Sequence, residues 1–278
     1  QEFKKSINKK IMKVFQLYDE ANVLLKKSVQ LFYEKLKLKQ LDDLGIKYFK
    51  ESNTRIFSVS SSKIDSRFDA SFHIPIIKKI LSEFKKNGLE LTFVGDPKIS
   101  KEIILPNRFK RTYVEKNHGF PFLNGKQITQ YDSPDLKFLS KSIHENIVKL
   151  KLSLKENMIL ITRSGTVGNV LLTPKHYEDW TATEHIIRII PSDKINSGYL
   201  FTFFASEYGN QLIKRNIHGS VVDEIDDGQV SEIIIPLPND IIQNDIGNLV
   251  LESNKKRTDA YNLEQSCIKT IELELFKK

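Results

Sequence analysis

Apolar residues recur at three- and four-residue steps near both ends of the chain and at shorter, strand-like intervals between them. In the first segment Ile7, Ile11, Val14, Tyr18, Ala21, Leu24, Ser28, Phe32 and Leu36 follow helical spacing, with no Gly or Pro before Gly45. After Pro236 and Pro238 the same spacing returns through Ile246, Leu249, Ala260, Leu263, Cys267, Ile271 and Leu275. Each predicted helix approaches or exceeds about thirty residues, or about 45 Å. That exceeds what a compact core requires, so their narrow apolar seams are expected to pair with each other or with a partner. The two segments also resemble each other. At a shift of 239 positions Ile7, Ala21, Leu24, Val29, Phe32 and Leu36 fall on Ile246, Ala260, Leu263, Ile268, Ile271 and Leu275. Helical periodicity alone produces some of these matches, yet the repeat suits a protein that alternates globular unit and helix.

The pattern between the helices is mixed. Pro75–Phe84 reads as a short amphipathic helix stopped by Asn87-Gly88, and Leu200–Glu207 with Leu212-Ile213 reads as another. Short β-like runs occupy Ile103–Leu105, Ile159–Thr162, Asn169–Thr173, His185–Ile190 and Ile233–Leu237. Without βαβ regularity, these elements predict an α+β fold: one globular domain with a curved mixed β-sheet and short helices, flanked by two long antiparallel helices. The expected division is a spacer helix at 1–45, a globular domain at 46–238 and a second spacer helix at 239–278.

Composition narrows the chemistry. The single cysteine, Cys267, excludes an internal disulfide framework and a thiolate metal cage, and it fits a reducing compartment. No apolar run approaches the ~18 residues of a membrane span. The opening Gln-Glu-Phe-Lys-Lys has neither an initiator Met nor a signal-like core, which predicts a cytoplasmic segment of a longer polypeptide. The formal net charge is +8, but residues 1–40 hold ten Lys against four acids, a solvated helix face. Residues 98–126 hold seven Lys/Arg against two Glu, and this cluster is the better phosphate-contact surface.

Catalytic signatures are easier to exclude than to find. Neither a P-loop nor a GxGxxG fingerprint occurs, and an Asn-Pro-Pro-Tyr type methyltransferase signature is missing too. Pro134-Asp135 could open a metal-dependent nuclease site, but no Glu-x-Lys follows it. The six His are scattered without metal-ligand spacing, so no metal or cofactor is expected. His185, at a strand start, reads as a hydrogen-bonded structural residue. Asp223, Glu224, Asp226 and Asp227 read as a solvated acidic loop, with Mg²⁺ binding as the alternative.

What remains is a set of polar loops suited to double-stranded DNA. Asn107–Tyr113 places Lys110 and Arg111 in the basic cluster, and Asn124–Gln130 presents Lys126 and Gln127 on a Gly turn. The strand at Ile159–Thr162 feeds Arg163, Ser164 and Thr166 onto a tight loop, and Asn216–Ser220 forms a fourth. Arg reads a guanine edge bidentately, an amide can pair with adenine, and Lys anchors phosphates.

An ordered series of segments is similar to a known family. It begins with Arg67-Phe68-Asp69-Ala70-Ser71-Phe72 and continues through Gly119-Phe120-Pro121-Phe122-Leu123 and Gly125-Lys126-Gln127-Ile128. Next come Ile161-Thr162-Arg163-Ser164-Gly165-Thr166-Val167-Gly168, Thr181-Ala182-Thr183-Glu184-His185, Tyr199–Phe204 and Ile233–Pro238. In order and spacing it resembles a target-recognition domain of the specificity subunits of type I restriction–modification systems. The resemblance implies a non-catalytic subunit whose two such domains each read one half of a bipartite DNA site. Two antiparallel helices would set the half-site spacing and dock methyltransferase subunits and, through them, the restriction subunit. One such domain here implies either a segment of a two-domain subunit or a half-subunit that forms a homodimer. The alternatives are the recognition segment of a fused type II restriction–methylation enzyme, or a Mg-dependent nuclease.

Overall fold

The computed structural model describes residues 2–44, 57–64, 67–130, 135–219 and 222–276. Gly45, Pro134 and Ser220, each part of a motif above, lie outside them. Helix α1 (Glu2–Lys35) carries no breaker, and α2 (Pro75–Lys86) starts with proline, where the missing N–H costs nothing. Strands β1 (Leu91–Phe93), β2 (Ser100–Ile104), β3 (Tyr113–Val114), β4 (Gly119–Leu123) and β5 (Lys137–Ser140) follow, then α3 (Lys141–Ile147). Next are β6 (Ile159–Thr162), β7 (Val170–Leu172), β8 (Thr181–Ala182) and β9 (Ile186–Pro191). The chain continues through α4 (Ser197–Ala205), α5 (Glu207–Lys214), α6 (Asp227–Ser231), β10 (Ile234–Pro236) and α7 (Asp240–Leu275).

The class is α+β, as the pattern predicts, but the strands divide among three sheets instead of forming one. An antiparallel sheet has the order β2-β9-β6-β7, and a mixed sheet has the order β3-β5-β4-β8 with β4 and β8 parallel. A ribbon joins β1 to β10. Strand β6 is buried along its whole length, and side-chain alternation sends it two ways. Ile159 and Ile161 enter the main core with Phe32, Phe84, Tyr199, Phe203 and Ile246. Leu160 enters a second cluster with Leu123, Ile128, Tyr177 and Ile186. The single helix expected around Leu200–Ile213 is two: Ser206, in extended backbone, breaks it and caps α5 by accepting from the Gly209 amide. The two pieces can then turn their apolar faces onto one core.

Helices α1 and α7 run antiparallel, with Lys35 paired to Asp245 at one end and Lys256 to Glu20 further along. Their buried seams step by heptads: Ile7, Val14, Ala21 and Ser28 on α1, and Ile246, Ser253, Ala260 and Cys267 on α7. Ser253 Oγ donates to the Ala21 carbonyl at 2.8 Å and fixes the register. Heptad steps from that contact set Ile7 against Cys267, Val14 against Ala260 and Ser28 against Ile246. The same positions are related by the 239-residue repeat, which carries Ile7 to Ile246 and Ala21 to Ala260. Both relations hold together for a pseudo-two-fold axis crossing the coil at Leu17–Tyr18 and Lys256–Arg257. Small residues also let the backbones approach where α4 crosses α7. A Cβ on Gly198 would stand 2.1 Å from the Gly247 carbonyl oxygen, and one on Gly247 would stand 1.9 Å from Asn196 Oδ1.

Candidate nucleic-acid interface

The loop after β6 is closed by its own first residue. Thr162 Oγ1 donates to the Thr166 carbonyl at 2.6 Å and accepts from the Asn169 amide at 2.9 Å. Gly168 turns the chain at φ +91°, a left-handed conformation open to glycine, and its amide donates to the Thr162 carbonyl. The Arg163 amide donates to the His185 carbonyl, which joins this loop to the turn before β9.

The loops singled out from sequence converge here. Loops 124–129, 162–169 and 183–185, with Arg111 and Val222, line a cleft of about 590 Å³. A Cβ on Gly125 would meet the Thr162 methyl at 3.3 Å, a measure of how close the second and third loops lie. The fourth loop arrives by backbone pairing: His218 exchanges amide–carbonyl hydrogen bonds with Glu224, the Ile225 amide donates to the Arg163 carbonyl, and the Gly165 amide donates to the Asp223 carbonyl. The family-like segment at Arg67 anchors that loop from behind. Its guanidinium grips Asp69 through two 2.6 Å hydrogen bonds and donates to the carbonyls of Asn216 and Ile217. Those hydrogen bonds hold the Asp69 carboxyl below its ordinary range. The Arg67 and Arg215 guanidiniums both lie over the Phe72 ring, 5.0 and 3.9 Å from its centre.

The seven residues expected to touch DNA take different places. Lys126, Ser164 and Thr166 line the cleft, with Lys126 and Thr166 exposed. Among the described residues neither Lys126 nor Thr166 has an internal side-chain partner, nor does their neighbour Asn169. Lys110 is exposed but stands outside the lining. Arg111 lines the cleft while pairing with Glu184. Gln127 is buried, and its Oε1 accepts from the Asn124 amide at 2.9 Å, so it builds the turn instead of presenting an amide. Arg163 is mostly covered, with its side chain 14% exposed and donating to Glu224 Oε2 at 2.6 Å.

Sequence reasoning missed the charged scaffold beneath the cleft. Arg188, wholly buried on β9, donates to the carbonyls of Ala182 and Ile186 and so holds the turn that carries Thr183, Glu184 and His185. Burial pulls its guanidinium down to about 9, opposed by the nearby Glu184 charge. Burial pushes the Glu184 carboxyl up, but a backbone amide, Arg111 and Thr183 outweigh it and hold the group below its ordinary value. His185 Nδ1 lies 2.7 Å from Ser164 Oγ, and its Nε2 lies 3.6 Å from Glu184. These are the residue types of an acyl-transfer triad, but 3.6 Å is beyond a hydrogen bond and Glu184 is committed to Arg111. The trio braces two loops. The Thr-Ala-Thr-Glu-His segment was the available signal, but it said nothing of the buried Arg five residues downstream of Thr183.

No group of three or more His, Cys, Asp or Glu that could hold a metal occurs among the described residues. No helix among them is long and apolar enough to cross a membrane.

Residues 102–252, more than half the chain, match the family model for the type I restriction modification DNA specificity domain. The type I restriction enzyme MjaIX specificity subunit of Methanocaldococcus jannaschii is 26% identical over 165 residues, 56% of this chain and 36% of that protein. The chain thus spans about a third of the length of this curated relative. Among solved structures, the HsdS subunit from Thermoanaerobacter tengcongensis is 12% identical, with a TM-score of 0.41 over 96% of this chain and 52% of that one. The type I S subunit from M. genitalium is 15% identical, with a TM-score of 0.38 over 58% of this chain and 38% of that one. The family match contains β6, β9, the loops of the cleft and all seven candidate residues. The chain belongs to the type I restriction modification DNA specificity domain family.

Proposed function

We propose that this chain is the sequence-reading part of a type I specificity subunit, binding duplex DNA at one half of a bipartite site without catalysis of its own. In this reading 46–238 is the recognition domain, and the spacer helices at 1–45 and 239–278 dock methyltransferase subunits, which bring the restriction subunit. The observation that carries the proposal is the convergence of three of the polar loops on one cleft, through Arg111, residues 124–129 and residues 162–169, with the fourth joined to the third through Glu224 and Ile225. Lys126, Ser164, Thr166 and Asn169 line it and offer a cation, hydroxyls and an amide, the groups that read base edges and hold phosphates. The exposed Lys110 adds a further cation for the phosphate backbone.

The pseudo-two-fold axis supports the bipartite part. The domain rests on α7 through Asn254, which donates to the Leu172 carbonyl, and through His176, which contacts Thr258 and stacks on Tyr261 at 4.4 Å. The 239-residue repeat maps Asn254, Thr258 and Tyr261 onto Phe15, Asp19 and Asn22 of α1. A groove of about 670 Å³ lies on that part of α1, lined by Met12, Phe15, Asp19 and Val23 among others. Met12, Phe15 and Val23 are each about 60% exposed. A second domain of the same kind fits that seat.

The test is selection from a random duplex pool, followed by fluorescence polarisation on the selected site. Lys126→Ala should lower specific affinity by roughly ten-fold or more, as expected for loss of a base or phosphate contact. Failure of the pool to enrich any sequence would overturn the proposal.

A further inference from the structure

Two arginines near the cleft, one of them on the loop that lines it, share one carboxylate. Arg163 donates to Glu224 Oε2 at 2.6 Å, and the exposed Arg108 approaches Oε1 at 3.5 Å. The carboxylate is itself held in place. Glu224 pairs through its backbone with His218, and the residue after it donates to the Arg163 carbonyl. Beyond it, α6 starts with a capping box in which Asp226 accepts from the Gln229 amide and Gln229 accepts from the Asp226 amide. Among the described residues Arg163 Nε is buried without a hydrogen-bond partner, and Glu224 is the acceptor that holds the guanidinium.

A negative charge anchored at the rim of a DNA-reading cleft opposes phosphate binding in general. Glu224 takes two cations away from any passing phosphate and leaves the cleft to groups that require a fitted base edge. Specificity is a difference between affinities, and lowering the non-specific term raises it as surely as adding a contact. We infer that Glu224 is a specificity-determining positioning residue: it ties Arg163 and Arg108 into the protein and suppresses sequence-independent binding to the DNA backbone. The inference rests on the DNA-reading function proposed above.

The experiment compares the full chain with Glu224→Gln and Glu224→Asp on the pool-selected duplex and on an unrelated duplex, across a salt series. Glu224→Gln should bind the unrelated duplex more tightly. Its log-affinity against log-salt slope should steepen by about one to two, one phosphate for each released arginine. The ratio of specific to unrelated affinity should fall by about ten-fold, since the released arginines can settle on phosphates in any register of an unrelated duplex, whereas on the selected duplex the base-edge contacts already fix the register. Glu224→Asp should restore the wild-type slope, and adding Arg108→Ala to Glu224→Gln should remove about half of the gained slope. Circular dichroism melts exclude misfolding as the cause. If wild type discriminates between the duplexes and Glu224→Gln keeps either its slope or its ratio, the inference is wrong while the DNA-reading function stands. If wild type does not discriminate at all, the function proposed above is what fails.

Discussion

Single side chains in this domain matter most where they are charged and buried. His176 is sandwiched against Tyr261 and hydrogen-bonded to Thr258, where burial, with a contribution from the Arg257 charge, draws its pKa down to about 4. The unfolded chain binds a proton at the ordinary histidine value, so between about pH 6.5 and 4 the unfolded state holds more protons than the folded one. Stability from this group is therefore full above about pH 6.5 and is lost as pH falls towards 4, by roughly 2–3 kcal/mol. Thermal melts from pH 7 to pH 4.5 should show this fall, and His176→Gln should flatten it; an equal fall in the variant would remove His176 as its source. Legibility at this scale was uneven. Lys126, Ser164 and Thr166 reach the cleft because they ride on glycine-bearing loops. Gln127 and Arg163 have the same composition signature, but Gln127 turns back onto the Asn124 amide three residues before it, and the partner of Arg163, Glu224, is 61 residues away. Arg188 was invisible for the opposite reason, since a charged residue in an apolar strand run gives no sign that carbonyls satisfy it.

At the scale of elements, periodicity succeeded where packing and propensity agree. Strand β6 was read to the residue because four apolar or β-branched residues end at a Thr-Arg-Ser-Gly turn. Strands β3, β4 and β5 were not read. Gly119 and Pro121 interrupt any alternation, and these short strands are held by register with each other instead of by local preference. The long helices were legible as helices, yet their pairing depends on small residues whose meaning appears only across the interface. Gly247 is the clearest case. Gly247→Ala should push α4 from α7 and cost about 2–3 kcal/mol through overpacking, although the same change usually stabilises a helix by about 1 kcal/mol. A urea melt with an unchanged midpoint would show that the crossing can relax.

For the whole molecule the governing feature is the pseudo-two-fold relation between α1 and α7. The sequence held half of it, as a weak 239-residue repeat; the register set by Ser253 and Ala21 supplied the rest. If the groove at Met12, Phe15 and Val23 is a second domain seat, two recognition domains would face the duplex related by a half-turn. The symmetry of a target follows the symmetry of its reader. An assembly carrying this same domain on both seats should therefore enrich interrupted inverted repeats from a random pool. Enrichment of direct repeats would exclude the half-turn arrangement. In that arrangement the heptad register of α1 and α7 would fix the relative polarity of the two words in the target. Grammar would be written in the coil, and only vocabulary in the loops.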